Sequence, residues 1–298
     1  MRILHLDAGK EMRGGQWQVL RLIEGLEAAG DECTLLARTP GPLFDAARKQ
    51  GWRVEPLSLG RTLRMARRHD VIHAHDARTH TLGLLARGAP LVVARRVAFP
   101  IGPGLSSKWK YGRAQHYLAV SEFVKSVLVS GGVPAEKITV VYDGVPLLDP
   151  EPGSRSVVAP ANLDDPAKGA PLAMEAARLA GVELKLSIDL ERDLPRASIF
   201  VYITHSEGLG SGVLLAMGAG VAVIASKVGG LTEAIHHRHD GLLVDNTRES
   251  VSAAIRELLD TRELRIRLAV AARETVERRF TIESMVRRTI EVYRKVIL

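Results

Sequence analysis

The chain has 298 residues, 46% apolar and 25% charged, proportions that exclude a disordered or membrane-spanning chain and suit two soluble domains with their own cores. Lys and Arg exceed Asp and Glu by 7, but aromatic residues are only 4%; with few platforms for stacking bases and no zinc-finger, helix-turn-helix or RNA-recognition signature, nucleic acid is not the expected partner. Cys33 is alone, so no internal disulfide forms and a reducing compartment fits. Met1 leads into Ile3-Leu4-His5-Leu6 without a signal-peptide core, and no apolar run reaches 18 residues, so a cytoplasmic location is expected.

Arg2 to Leu6 reads as a strand, and the loop through Gly9, Gly14 and Gly15 feeds a helix from about Gln16 to Ala29, with Leu20, Ile23 and Leu26 on one face and Gly30 as its cap. Cys33 to Ala37 is a second strand, Pro42 to Gln50 a helix, Arg53 to Leu57 a strand, and Arg61 to Arg68 a basic helix. Val71 to Asp76 is the next strand end. His73 and His75 stand at alternate positions and face the same way, so they suit joint metal ligands with Asp76 nearby, groups lining a site, or core histidines held by hydrogen bonds. No carboxylate-rich partner motif follows, and no metal is assigned. His80 and the group His236, His237 and His239 are weaker candidates, the latter near a helix end where imidazoles suit the dipole.

Leu91 to Ala94 is a strand leading to Arg95 and Arg96, whose fixed forks of donors suit a phosphate or an acidic group but cannot act as bases at neutral pH. Phe99 to Gly104 is a Pro/Gly loop. Ser106 to Tyr111 then mixes cations with amphipathic aromatics, a composition that fits a lipid headgroup surface as well as a plain helix start. The chain's positive charge suits anionic lipid, an acidic saccharide, or a solvated arginine-rich surface. Tyr117 to Val120 and Lys137 to Val145 read as strands, and Pro146 to Ser156, with three prolines, Gly153 and Ser154, as a linker.

The second half opens with a strand from Val157 to Ala161, a loop from Asn162 to Gly169 in which Asp165 and Pro166 signal a helix start, a helix from about Pro171, and a strand from Val182 to Ser187. Ser198 to Thr204 is a buried strand, followed by glycines at 208, 210 and 212 and a helix beginning at Val213. Val221 to Ser226 is another strand, followed by Gly229, Gly230 and a helix start at Leu231. Turns of this β-α kind lie at the carboxyl ends of parallel strands, where helix N-termini collect anions and glycine lets a ligand touch the backbone. Glu207, a lone carboxylate in that loop, suits sugar hydroxyls rather than phosphate, so the pattern suggests a nucleotide-sugar. Two helical segments follow Asp245, and a last helix starts near Ile282. There is no Asp-x-Asp, no ATP-binding Gly-x-x-x-x-Gly-Lys-Ser/Thr, and no dinucleotide Gly-x-Gly-x-x-Gly at this loop.

Glu207-Gly-Leu-Gly210, the helix ending Ala216-Met217-Gly-Ala-Gly220, the strand Val221 to Ser226, and Val228-Gly-Gly-Leu-Thr-Glu233-Ala-Ile235 resemble the donor-site signature of the retaining family 4 glycosyltransferases. The resemblance covers nearly the whole chain and implies an α/β GT-B fold, two Rossmann-like doubly wound parallel-sheet domains facing a cleft. An acceptor-side domain is expected over 1–150, a donor domain over 155–280, and a helix over 281–298 returning to the first. It implies a metal-independent hexosyl- or heptosyltransferase that moves sugar from a nucleotide-sugar to a saccharide or lipid-linked acceptor with retention, in cell-envelope glycan or lipopolysaccharide synthesis. No cofactor is expected beyond that substrate, and the enzyme would be cytoplasmic or peripheral at an anionic membrane.

Carried over residue by residue, the resemblance implies that Glu207 holds the donor sugar, that Gly208, Leu209, Gly210 and Ser211 supply amides, and that Lys168 neutralises the diphosphate. Gly14 and Gly15 would lie near phosphates and acceptor. His73, Asp76 and Arg95 would line the acceptor side, and His75 and Arg96 would be catalytic together with Glu207. The sequence departs from the family at several of these positions. Leu215 stands where a second glutamate holds ribose, Asn162 where an arginine meets the diphosphate, Arg95-Arg96 where a histidine is frequent, and Asp143 where Asn is usual; the helix and strand that hold the nucleobase, between Ser187 and Ser198, are absent. These departures keep open a degenerate GT-B domain that binds saccharide, nucleotide or a partner enzyme without turnover, while an epimerase would need acid and base pairs that are not found.

Overall fold

The short apolar runs assemble into two all-parallel sheets, whose central strands are buried on both faces as parallel sheets require. The computed structural model describes residues 1–151, 156–163 and 168–298. Gly153 and Ser154 of the expected linker, and the helix-start pair Asp165 and Pro166, lie outside the described residues. Two units divide the chain, one of Met1–Gly144 with Ile282–Leu298, the other of Val145–Thr281.

The first unit holds β1 (Arg2–Asp7), β2 (Glu32–Ala37), β3 (Val54–Pro56), β4 (Val71–Ala74), β5 (Leu91–Arg95), β6 (His116–Ala119) and β7 (Ile138–Val140), ordered β3-β2-β1-β4-β5-β6-β7. Its helices are α1 (Gly14–Ala28), α2 (Pro42–Lys49), α3 (Leu59–Ala66), α4 (Ala77–Leu85), α5 (Leu105–Tyr111) and α6 (Glu122–Ser130). The second unit holds β8 (Ser156–Pro160), β9 (Leu184–Ser187), β10 (Ala197–Tyr202), β11 (Ala222–Ser226) and β12 (Leu242–Val244), ordered β12-β11-β10-β8-β9. Its helices are α7 (Ala170–Ala180), the single turn α8 (Leu190–Asp193), α9 (Ser211–Gly218), the single turn α10 (Leu231–Ala234), α11 (Arg248–Asp260) and α12 (Arg262–Arg279). The closing helix α13 (Ile282–Ile297) belongs to the first unit, where Met285, Val286, Val292 and Tyr293 join the core formed by Ile3, Leu22, Ile23, Leu26 and Leu35.

In each sheet the winding reverses once, between β1 and β4 in the first unit and between β8 and β10 in the second. At such a reversal the loops leaving the two strands diverge and open a crevice beyond their carboxyl ends. The architecture is GT-B, as the resemblance implies.

Several elements differ from the sequence reading. The sheet loses β7 at Val140, and Val145 instead accompanies Thr281 with its amide on the Phe280 carbonyl at 2.9 Å. Helix α4 was not foreseen, because its Thr- and His-rich sequence lacks an apolar stripe; Asp76 starts it by accepting from the Arg78 and Thr79 amides at 2.8 and 3.0 Å. The helix expected from Leu231 lasts one turn, and the apolar triplet Leu242–Val244, unremarked in the sequence, is the edge strand β12.

Candidate active site

In the second unit, Lys168 follows β8 and Glu207 follows β10, so both loops leave the reversal point. The Lys168 Nζ lies 2.6 Å from Glu207 Oε2. Tyr202, at the end of β10, donates its hydroxyl to the same carboxylate oxygen at 2.6 Å and accepts from Lys168 at 3.1 Å. The other oxygen, Oε1, accepts the Gly208 amide at 3.1 Å. Glu207 is therefore not a lone carboxylate: a cation, a phenol and an amide already hold it. Both charged side chains keep some solvent access, 24% for Lys168 and 16% for Glu207.

Gly210 carries the chain into α9 at φ +92°, a left-handed conformation in which an added Cβ would also lie 2.6 Å from Leu231. The first-turn amides of α9 thus begin next to Glu207, while Val213 to Gly218 are buried on every side and fix the helix in the unit's core. A second close approach locks this loop to the next: the Gly230 amide donates to the Glu207 carbonyl at 3.1 Å, and a Cβ on Gly230 would sit 1.8 Å from the Gly208 carbonyl oxygen.

Gly208 and Leu209 are buried and Ser211 is half-buried beside this pair. Leu215, 4% exposed, lies in the core and offers no polar atom. Asn162 is half-buried just past β8, its amide donating to the Pro160 carbonyl at 2.9 Å. Tyr202 was legible only as a strand former; its place as the last residue of β10, where side chains meet the loops, was the available signal.

In the first unit the reversal point gathers Asp7 from β1 and His75 and Asp76 from just after β4. Asp76 Oδ2 accepts the Ala8 amide at 2.7 Å, so both its oxygens hold backbone and it acts as a brace rather than an open acceptor-side group. Asp7 accepts from the Gly9 amide at 2.8 Å and from Gln16 Nε2 at 3.1 Å. Burial raises its carboxyl above the ordinary range, against the Gly9 hydrogen bond that lowers it. Gly14 and Gly15 open α1, and a Cβ on Gly15 would meet nothing within 4 Å, leaving that first turn approachable.

His5 carries no signal in the sequence beyond its strand, yet register sets it opposite His73. His5, His73 and His75 are all buried and are the group of potential ligands found among the described residues, with ligand atoms within 4.8 Å of one another. Their hydrogen bonds speak against a metal. Arg96 Nη1 lies 3.3 Å from His75 Nδ1, and a guanidinium can only donate, so that nitrogen accepts. The neutral ring then carries its proton on Nε2 and donates it to His5 Nδ1 at 3.0 Å. This leaves His5 protonated on Nε2, a buried atom without a partner. Neither ring retains a free lone pair, and the arginine adds a cation. Burial pushes His5 down to about 3, with His69 and Arg96 adding to it, and holds His73 and His75 well below their ordinary value.

His73, expected on the acceptor side, faces the core: its Nδ1 lies 2.6 Å from the Tyr293 hydroxyl of α13, beside a cavity of about 20 Å³ that has room for one water. Arg96 is held by Asp143, Nε to Oδ1 at 3.2 Å. Arg95 bonds the Tyr111 hydroxyl at 3.0 Å and the Phe99 carbonyl at 2.5 Å, so it braces the loop before α5 instead of reaching outward. His236 hydrogen-bonds Asp240 through both its amide and its ring, a local structural role.

Comparison with known proteins matches residues 12–147 to the Glycosyltransferase Family 4 model and residues 174–275 to the model of glycosyl transferases group 1. A D-inositol 3-phosphate glycosyltransferase of Nocardioides is 32% identical over 108 residues, 36% of this chain and 23% of that protein. A GDP-mannose-dependent alpha-(1-6)-phosphatidylinositol monomannoside mannosyltransferase of Mycobacterium tuberculosis is 42% identical over 71 residues, 24% of this chain and 18% of that protein. The chain spans less than a quarter of the length of these curated relatives. Among solved structures, HepE of Anabaena in complex with UDP and glucose superposes with a TM-score of 0.87 at 17% identity, over 99% of this chain and 100% of that one. A glycosyltransferase of Rickettsia africae superposes at 0.80 with 17% identity, over 99% and 98%.

Proposed function

The chain belongs to the GT-B glycosyltransferases of family 4, group 1, and from that premise we propose that it moves a hexosyl or heptosyl group from a nucleotide-sugar to a saccharide or lipid-linked acceptor, with retention and without a metal, in the building of a cell-envelope glycan. The observation that carries this reading is the Lys168–Tyr202–Glu207 cluster beside the first turn of α9, at the reversal point of the second sheet. A diphosphate would draw Lys168 away from Glu207 and receive the α9 amides. Glu207, still held by Tyr202, would then accept from sugar hydroxyls.

In the reaction the bond from the sugar's anomeric carbon to the diphosphate breaks, and the acceptor oxygen bonds that carbon on the same face. The acceptor's proton passes to the departing phosphate. Lys168 and the amides offset the charge that develops there, which makes catalysis mainly positioning and electrostatics. HepE, whose extent this chain matches end to end, was solved with UDP and glucose; that supports a second unit of this length as sufficient for a nucleotide.

Calorimetric titration against UDP, GDP, ADP, CMP and their sugars tests the reading. Binding of one nucleotide, lost in Lys168→Ala, is the expected result, and the anomer of the product then reports retention. The buried Leu215 favours a second reading, binding without turnover. Silence with every nucleotide at millimolar concentration would select it over transfer.

A further inference from the structure

Helix α3 and the turn after it carry Arg61, Arg64, Arg67 and Arg68, none of which the chemistry of sugar transfer uses. Two of them, Arg64 and Arg68, line a cleft of about 660 Å³ that also takes in Arg2, Glu32, Arg53 and His69. Arg2 and Glu32 open β1 and β2, while Arg53 and His69 come just before β3 and β4. These are the amino ends of four neighbouring parallel strands, whereas the crevice of the first unit lies beyond the carboxyl ends. Helix α1 runs between the two: Gly14 and Gly15 begin it at the crevice, and Glu27 in its last turn lines the cleft, about 20 Å along the axis.

Some charges of this cleft are already paired. Arg2 meets Asp70 at 3.1 Å, Asp31 the Met1 amino group at 2.7 Å, and Glu55 Arg61 at 2.8 Å. The guanidinium groups of Arg53, Arg64 and Arg68 and the carboxylates of Glu27 and Glu32 have no hydrogen bond or ion pair among the described residues, although all five line the same cleft. Opposite charges that share a cleft without touching leave a gap that one ligand can bridge, with an anion on the arginines and hydrogen-bond donors on the glutamates. Three guanidinium forks match the several oxygens of a phosphate dianion better than one carboxylate. The lining holds no Phe, Tyr or Trp on which a nucleobase would stack. It is also fixed and polar. The Met65 carbonyl only accepts, so His69 donates to it from Nδ1 at 2.7 Å and takes the Thr34 hydroxyl proton on Nε2 at 3.1 Å. We propose that this cleft is a second ligand site, for a small phosphorylated sugar or polyol whose phosphate meets Arg53, Arg64 and Arg68 and whose hydroxyls meet Glu27 and Glu32. The inference stands apart from sugar transfer, since it concerns neither Glu207 nor Lys168.

Calorimetric titration of the full chain with glucose 6-phosphate, fructose 6-phosphate and glycerol 3-phosphate decides it, with inorganic phosphate, glucose and phosphoethanolamine for comparison and no turnover measured. At least one of the three should bind about tenfold or more tightly than inorganic phosphate or glucose. Arg53→Ala with Arg68→Ala should weaken that binding by about tenfold or more, and Glu32→Gln should weaken it less. These side chains are exposed and unpaired, so the variants should melt like the parent. Lys168→Ala should leave the binding unchanged. Loss in Lys168→Ala would place the ligand in the donor site and overturn the proposal, as would undiminished binding in the arginine variant. Silence of all three phosphates at millimolar concentration, or binding no tighter than that of inorganic phosphate, would overturn it as well. Tighter binding of phosphoethanolamine than of any of them would overturn the hydroxylated ligand in favour of an amine.

Discussion

Arg96 Nε lies 3.2 Å from Asp143 Oδ1, so two positions at which the sequence leaves the family pattern are partners of one another. An arginine where histidine is frequent and an aspartate where asparagine is usual make one ion pair, whose side chains are 17% and 9% exposed. Through its other nitrogen the same guanidinium sets the tautomers of His75 and, one step further, His5.

If the two departures act as a unit, Arg96→His and Asp143→Asn should be non-additive. Each single change removes one half of a nearly buried pair, whereas the double change restores two neutral groups. Urea melts of all four proteins should give a coupling of about 1–3 kcal/mol. Simple additivity would mean that the contact is incidental.

Acid should unfold the first unit early. His5 and His80 are pushed down to about 3 and His116 to about 4, in each case chiefly by burial, from an ordinary 6.5. They are neutral in the folded chain and take up protons on unfolding. Below pH about 6.5 the unfolded state therefore binds more protons, and stability falls with pH down to about 4 for His116 and 3 for the others, by up to about 1.4 kcal/mol per pH unit for each histidine. Calorimetric scans between pH 7 and pH 5 should show a transition that moves sharply to lower temperature. A transition independent of pH over that range would contradict the burial of these rings.

Two glycine substitutions should behave oppositely. Gly230→Ala places a methyl 1.8 Å from the Gly208 carbonyl oxygen, a backbone atom that cannot turn aside, and should cost about 3 kcal/mol or more. Gly15→Ala meets nothing and replaces a helical glycine, so thermal melting should hold steady or gain about 0.5–1 kcal/mol. Were Gly15→Ala also to bind donor and turn over like the parent, Gly15 would have no part in the site.

Glu207→Gln keeps the shape of the side chain and removes the charge that holds Lys168. Because the pair is partly solvated, the melting midpoint should move by no more than about 1 kcal/mol in stability. Transfer should fall by about a hundredfold or more. A parental rate in this variant would take Glu207 out of the chemistry.

Much of this was readable in the residues. Strands such as Leu91–Arg95 and Ala222–Ser226 stand out because both faces are buried, and Glu207 to Ser211 because glycine marks where backbone must turn or meet a ligand. The rest depends on distant partners. That Lys168 holds Glu207, or that His5 meets His75 across 70 positions, follows from strand order and register, which no local pattern contains. Likewise, Arg95 and His73 looked like site groups because charge and alternation are visible, while the Tyr111 and Tyr293 that hold them inward are not.

The placement of α13 bears on the order in which the protein is made. The second unit is one uninterrupted segment, Val145–Thr281, whose ends are hydrogen-bonded to each other through Val145 and Phe280. The first unit needs Met285, Val286 and Tyr293 to complete its core, and these leave the ribosome only after the whole of the second unit. Domains generally fold in the order of synthesis; here the half translated first waits, with the Tyr293 side of its sheet uncovered, until the half translated second has been finished.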